Sequence, residues 1–309
     1  MSKKSILQIW NKILDAKPPT YSKSLIFNLF GAQFVLTFFY FFLYFLKGRR
    51  TIKKEFQEYF QSLEQDGFVI VPNFLSTKDY RQVKTEFEQL KQNFQKSETY
   101  TNVPLPHVER MDLDDPQVSN FSREIFQKNP LIISIAQTFL RRKKLLNVTR
   151  YFTQISIRNA EETKRPQDGG TTNLHIDAPL RVLKFFYFFE SVSKENGTLE
   201  YVRGSNRRGL KILWLEYLHS IRYASNKHRP HPNGRYDKGK PWVEVSDYEV
   251  EKYQLHTTSI NVPGNTLVIL NPGGYHRRGV MTRIGTRKSV EISFRNVDTL
   301  RNYFKAFWT

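Results

Sequence analysis

The sequence predicts an α+β chain. Helices come first, and antiparallel strands then close into a double-stranded β-helix, a cupin-like jelly roll with flanking helices, behind one N-terminal membrane helix. Three observations carry this. Leu25 to Leu46 is an almost unbroken apolar run, interrupted by Asn28, Gly31, Gln33 and Thr37. Helical patterns with caps fill most of the stretch up to Arg141. From about Leu146, β-branched and aromatic runs alternate with turn residues, as short antiparallel strands do.

The apolar run meets the roughly 20 residues that a helix needs to cross a bilayer. A buried core helix is the alternative, but the run lacks a water-facing stripe. A cleaved leader is another, but a small-residue cleavage site is missing. Upstream, Ile6, Leu7, Trp10, Ile13 and Leu14 recur at helical spacing among Lys3, Lys4, Lys12 and Lys17, and Pro18-Pro19 ends the pattern. Such a basic amphipathic segment suits an anionic headgroup layer. Lys47, Arg49, Arg50, Lys53 and Lys54 follow the run more densely than lysines precede it. The expectation is a membrane protein, single-pass or monotopic, with its main domain cytoplasmic. The expected units are a basic segment over 1–24, the membrane helix over 25–46, a linker helix over 47–62 and one enzyme-sized domain over 63–309.

Lysine and arginine total 48 against 29 acidic residues in 309, a net charge of +19. That bias points to a membrane surface, a nucleic acid or an anionic substrate. Basic residues are dispersed without an interleaved aromatic motif, so no specific nucleic acid is expected. The absence of cysteine excludes disulfides, thiol nucleophiles, iron–sulfur clusters and thiolate zinc sites.

In the body, Thr51 to Leu63 reads as a helix, followed by a turn and a short strand in Gln65 to Phe74. Ser76 caps a helix over Lys78 to Gln95. Another covers Asn120 to Arg141, broken near Pro130. Strands are expected over Thr149–Ile157, Leu183–Phe189, Thr266–Leu270 and Lys288–Phe294, with Glu195-Asn196-Gly197 as a hairpin turn. Leu210 to Ala224 is an amphipathic helix, a candidate lid or an ordinary core helix. Ser225 to Trp242 is a basic loop, in which His228 and His231 read as solvated rather than as a second metal site.

His175 and Asp177 stand two apart at the end of a strand-like stretch, so both side chains point into one cavity. A strand and Asn271-Pro272-Gly273-Gly274-Tyr275 lead into His276. Two histidines and a carboxylate cover one face of octahedral Fe(II) and leave three positions open. Alone, a His-x-Asp also fits a hydrogen-bonded surface histidine. Arg287 follows on the next strand, where Arg287, Ser289, Glu291 and Ser293 share a face. Its guanidinium fork matches the distal carboxylate of 2-oxoglutarate, and the Ser289 hydroxyl supports the same group. Arg287 as one more surface cation is the bland alternative.

The chain resembles the phytanoyl-CoA dioxygenase-like family of Fe(II)/2-oxoglutarate dioxygenases. The resemblance rests on Asp66-Gly67-Phe68-Val69-Ile70-Val71-Pro72-Asn73-Phe74-Leu75, on His175-Ile176-Asp177, on Glu195 to Ser205, and on His276 with Arg287. It implies His175, Asp177 and His276 as iron ligands and Arg287 as cosubstrate anchor, with O2 as the second cosubstrate. It further implies cosubstrate contacts at Gln154 and Arg110 and an aromatic lining at Phe186. Lys184 is expected on the same face as Phe186, as a site residue or a structural ion pair. Two departures stand out: Arg203-Gly204-Ser205-Asn206 where the family reads Pro-Gly-Ser-His, and Arg277-Arg278 after the histidine. Asp177 is intact, which disfavours a halogenase.

The expected reaction consumes 2-oxoglutarate and O2, releases succinate and carbon dioxide, and hydroxylates a substrate C–H bond; desaturation and cleavage are variants. The membrane segment and the basic charge suggest an anionic lipid, a lipid-linked sugar or an acyl-CoA-like substrate. The rival class is a non-catalytic membrane-surface binding protein that retains the barrel.

Overall fold

The computed structural model describes residues 25–46, 51–90, 95–96, 108–112, 120–142, 148–158, 173–177, 182–225 and 243–295. The basic segment before residue 25 and the loop with His228 and His231 lie outside these residues.

The apolar run expected as one membrane helix forms two, α1 (Leu25–Leu29) and α2 (Ala32–Leu46). Between them Gly31 takes φ +76°, a conformation that costs any L side chain strain, and the chain turns. At 1.5 Å per residue, α2 is roughly 22 Å long, short of the ~30 Å hydrocarbon layer. Among the described residues no helix is long and apolar enough to cross a membrane. The expected linker helix is a 3-10 turn, Lys54–Phe56, that runs into α3 (Gln57–Asp66).

The body continues with β1 (Phe68–Val71), α4 (Thr77–Leu90), β2 (Gln95–Lys96), β3 (Val108–Asp112), α5 (Asn120–Gln127) and α6 (Pro130–Leu140). The caps are those that the residues announce. The Asp79 amide donates to Ser76 Oγ at 3.1 Å, and Asn129 accepts from the amides of Leu131 and Ile132 ahead of α6. Then come β4 (Val148–Arg158), β5 (Leu174–Ile176), β6 (Val182–Phe188), β7 (Leu199–Tyr201) and α7 (Leu210–Ser225). The chain ends with β8 (Val243–Val245), α8 (Asp247–Lys252), β9 (Thr258–Ser259), β10 (Thr266–Leu270), β11 (His276–Arg278) and β12 (Gly285–Arg295).

Two antiparallel sheets result. The major one runs β1-β10-β6-β12-β4-β3-β2, and the minor one β8-β5-β11-β7-β9. This is the expected mixture of helices and antiparallel sheet, a cupin-like arrangement. The period of two along β6 sorts its side chains. Leu183, Phe185 and Tyr187 join Val83, Phe87, Phe126, Ile132 and Ile135 in a core between the major sheet and its helices. Phe186 and Phe188 turn the other way, into a second core with Phe68, Tyr201, Val268 and Leu270 between the sheets. On the outer side of the minor sheet, Ile212 and Leu215 of α7 pack on Leu174, Ile176 and Tyr275. Burial on both faces fixes the strand register, because a one-residue slip would turn every inner side chain outward.

Glu195-Asn196-Gly197 is a turn but not that of a hairpin. The strand before it, β6, belongs to the major sheet and the strand after it, β7, to the minor one. The turn therefore carries the chain between layers. The short helix α8 has a full capping box between Ser246 and Glu249.

Behind α7, Glu249 accepts from Arg222 Nη2 at 2.5 Å and lies 3.1 Å from His219 Nε2. Burial pushes its carboxyl up, but His219, Arg222 and the Ser246 amide outweigh this and hold it well below the usual carboxylate range. Glu249→Gln is expected to destabilise the protein by about 2 kcal/mol at neutral pH. With a folded pKa below the unfolded one, this stabilisation is complete above the ordinary glutamate pKa of 4.5. It fades as pH falls beneath that value. Urea unfolding of both proteins at pH 7 and near pH 3 checks it, because the gap must shrink in acid.

Candidate metal centre

β5 and β11 pair with His276 directly opposite His175. Residues opposite each other on antiparallel strands share a face, so the two imidazoles meet inside the barrel with ring centres 4.5 Å apart. Leu174 and Ile176, flanking His175, point outward to α7. Asp177 follows β5 immediately, and its amide donates to the Pro272 carbonyl at 2.8 Å. The ligand-type atoms of His175, Asp177 and His276 lie within 4.8 Å of one another. His175 Nε2 is 4.0 Å from Asp177 Oδ1, and His276 Nε2 is 3.9 Å from Asp177 Oδ2.

Both imidazoles are oriented from behind. His175 Nδ1 lies 2.7 Å from the Asn173 carbonyl and His276 Nδ1 lies 2.9 Å from the Gly274 carbonyl. Each Nδ1–H donates to its carbonyl, which leaves Nε2 as the lone-pair nitrogen aimed at the centre. His276 Nε2 is buried and has no hydrogen-bond partner, an orphan that a metal ion satisfies. Burial, with His175 beside it and against the pull of Asp177, brings the His276 pKa down to about 3. The ring is therefore neutral at physiological pH, as a ligand must be. Burial pushes the Asp177 carboxyl up, but Lys184 and the two histidines outweigh it and hold the group well below the usual carboxylate range. The donor set, its protonation and its orphaned nitrogen fit an iron(II) ion.

The loop before His276 is set by close packing. The Tyr201 hydroxyl donates to the Asn271 carbonyl at 2.8 Å, and the Tyr275 amide donates to Ser205 Oγ at 2.8 Å. A Cβ on Gly274 would collide with the Tyr201 hydroxyl and with Ser205 Oγ, so only glycine lets the loop approach this closely.

Arg287 and Ser289 are buried on the inner face of β12, while Val290, Ile292 and Phe294 enter the helix-side core. Arg287 Nη1 donates to the Gly197 carbonyl. Burial and neighbouring Arg278, opposed by Glu291, bring its guanidinium down to about 9, still cationic at neutral pH. Lys184 and Phe186 share the inner face of β6, as expected. Lys184, however, is an ion-pair partner of the proposed ligand, with Nζ 2.6 Å from Asp177 Oδ2. Gln154 lies opposite Ser289 across β4 and β12, and Arg110 opposite Gln154 across β3 and β4. The backbone register thus lines up all three positions.

Arg278 is a further candidate site residue, one that only the register of β11 brings to light. Two residues on along β11, it shares the inward face, and its charge reaches Arg287. Its neighbour Arg277 points outward, with Nε 2.7 Å from Glu200 Oε2. Glu291 is a further charged residue buried on the inner face of β12.

An antiparallel double-sheet barrel with two histidines and an aspartate converging inside it defines a class: non-haem iron oxygenases of the cupin-like type. The model of the phytanoyl-CoA dioxygenase family matches residues 63–245, more than half of the chain. The chain belongs to that family and is a dioxygenase whose cofactor and cosubstrates are iron(II), 2-oxoglutarate and O2. The matched stretch holds His175 and Asp177, whereas His276 and Arg287 lie beyond it and are tied to the site by the structure alone. No curated protein matches the sequence. Among solved structures, the epimerase SnoN in complex with Fe3+, alpha ketoglutarate and nogalamycin RO is 14% identical, with a TM-score of 0.51, covering 78% of this chain and 84% of that one. The alpha ketoglutarate dependent carbocyclase SnoK from nogalamycin biosynthesis is also 14% identical, with a TM-score of 0.50, covering 81% and 87%. At this identity the likeness is one of fold.

Proposed function

We propose that the chain is a hydroxylase in which His175, Asp177 and His276 hold iron(II), and that it oxidises a C–H bond of an anionic, lipid-linked or acyl-carrying small molecule at the cytoplasmic face of a membrane. The single observation that carries the chemistry is the buried His175–Asp177–His276 cluster, with both Nδ1 atoms tied back and both Nε2 atoms turned inward. The catalytic domain is assigned to residues 63–309.

When bound, iron with 2-oxoglutarate reduces O2: decarboxylation to succinate and CO2 supplies two electrons, and the substrate C–H bond supplies two. The chain's own residues do the rest. Arg287 takes the distal carboxylate of 2-oxoglutarate in its fork, with Ser289 beside it and Gln154 and Arg110 at adjoining register positions. Lys184 holds Asp177 Oδ2, which leaves Oδ1 for the metal and keeps the carboxylate ionised. Phe186 and Phe188 make the wall apolar and exclude water. Among the described side chains the inner face carries Lys184, Arg278 and Arg287 against Asp177 and Glu291. Iron(II) adds two positive charges and 2-oxoglutarate removes two, so these groups keep an excess of cationic charge. That excess supports an anionic substrate.

A total membrane-lipid extract incubated with enzyme, Fe(II), 2-oxoglutarate and O2 is expected to yield an anionic lipid or lipid-linked species heavier by one oxygen atom. If the only oxygenated products in a whole-cell extract are uncharged water-soluble metabolites, the substrate assignment is wrong.

A further inference from the structure

The polarity of α1 and α2 is inverted relative to a helix pair of a water-soluble protein. No charged side chain occurs between Leu25 and Leu46. Two polar residues of this run are turned inward: Asn28 is fully buried and donates to the Ser220 carbonyl at 2.6 Å, and Gln33 is buried against Thr37. Large apolar residues, among those whose side chains are described, face out. Phe34, Val35, Phe38, Phe42, Phe45 and Leu46 form one exposed stripe along α2, and Ile26, Phe27, Leu29 and Phe30 extend it along α1. Phe30 is 85% exposed and Phe38 is 74% exposed. Scattered apolar residues are ordinary on a surface, but a continuous face of this size is not.

The face continues onto α7. Leu210 is 87% exposed and Trp214 49%. Trp214 packs on Tyr217 at 5.3 Å, Tyr217 stacks on Phe34 at 5.2 Å, and the Tyr217 hydroxyl donates to the Leu29 carbonyl at 3.0 Å. One aromatic line thus joins the two surfaces. Arg207 and Lys211, both exposed, flank Leu210, as cations do where a helix edge meets lipid headgroups.

Both ends of the helical pair are pinned to the same body. α1 is held by Ser220 and Tyr217 of α7. At the other end, the Tyr44 hydroxyl donates to the Phe139 carbonyl at 2.7 Å, and Arg141 donates to the carbonyls of Tyr44 and Phe45 at 2.9 and 3.0 Å. A spanning segment would carry one end across ~30 Å of hydrocarbon. We infer that α1 and α2, together with Leu210 and Trp214, form a monotopic membrane-insertion face, sunk into one leaflet without crossing it. The occupant is a lipid bilayer with anionic headgroups, matched by the outward apolar side chains and the basic net charge. The inference shares the membrane setting of the proposed function but does not depend on the iron chemistry. Phe41 of α2 lies under the Arg208 guanidinium, 5.7 Å away, and Arg208 Nη1 donates to the Gly273 carbonyl at 3.1 Å, three residues before His276. The inserted face and the loop that positions an iron ligand therefore share one side chain.

The chain has no cysteine, so single-cysteine variants can be read without background. Ser5→Cys, Ser193→Cys and Phe38→Cys proteins are reconstituted in sealed phosphatidylcholine–phosphatidylserine vesicles. An impermeant maleimide is expected to label Ser5→Cys and Ser193→Cys from the same side. A polarity-sensitive dye on Phe38→Cys should shift to the blue and be quenched by nitroxide lipids. Leu210→Glu with Trp214→Glu should weaken vesicle binding about tenfold or more while succinate formation persists. Labels on opposite sides would establish a span and overturn the inference. So would a protein that ignores vesicles and sediments in buffer as a dimer with the Phe38→Cys dye shielded. Vesicle insertion without iron-dependent turnover would instead count against the proposed chemistry and leave the insertion standing.

Discussion

Asp177→Ala is expected to lower iron-dependent succinate formation by more than about 100-fold, because loss of an outer partner of a metal ligand alone costs 10–100-fold and Asp177 is proposed as a direct ligand. It also removes the carboxylate that pairs with the Lys184 ammonium beside the two imidazoles. Its 2.6 Å partner would be gone, and the like charge opposes a dication. Asp177→Ala with Lys184→Met restores the charge balance but not the ligand. The double variant should therefore regain stability over the single one without regaining activity. Thermal unfolding together with succinate assays separates the two effects. Full activity in Asp177→Ala would remove the carboxylate from the metal site.

Arg287→Ala should raise the 2-oxoglutarate concentration at half-saturation by about 30-fold or more, corresponding to the ~2 kcal/mol or more lost when a buried charge pair loses one partner. The substrate half-saturation constant and the iron affinity should hardly move. Arg287→Lys keeps the charge but not the fork and should recover part of the loss. Since Arg287 Nη1 also donates to the Gly197 carbonyl, some destabilisation accompanies the alanine variant. A rise confined to 2-oxoglutarate is the result that a purely structural arginine does not give. Steady-state kinetics with each substrate varied in turn reads the difference.

The parts of the fold that repeat at short range were legible in the sequence. Thr266–Leu270 and the break at Pro130 follow from local patterning and caps, and the structure reproduces them. The spacing of the proposed site residues was local too: Asp177 stands two residues after His175, just beyond β5, and Ser289 follows Arg287 on one face of β12. What the sequence hides depends on long-range packing. The strand β11 is three residues long and is defined by its neighbours β5 and β7, and nothing local announces it. With β11 unseen, Arg278 could not be placed two residues from His276 on the inner face. The turn at Glu195 to Gly197 has hairpin chemistry, but the layers that it joins are set by the whole barrel. Lys184 was left between two roles, and its 2.6 Å contact with Asp177 is a pairing that no local pattern announces. Leu25–Leu46 is long enough by composition to cross a bilayer. Its division by Gly31, and the burial of Asn28 against α7, depend on a partner helix nearly 200 residues away.

The most direct test of the account is an anaerobic titration of the purified protein with Fe(II) and 2-oxoglutarate, following the visible metal-to-ligand charge-transfer band. The wild type is expected to show a band that saturates at one iron per chain, is absent in His175→Ala, and needs more 2-oxoglutarate in Arg287→Ala. A wild type without a band, or a band of equal strength in His175→Ala, would contradict it.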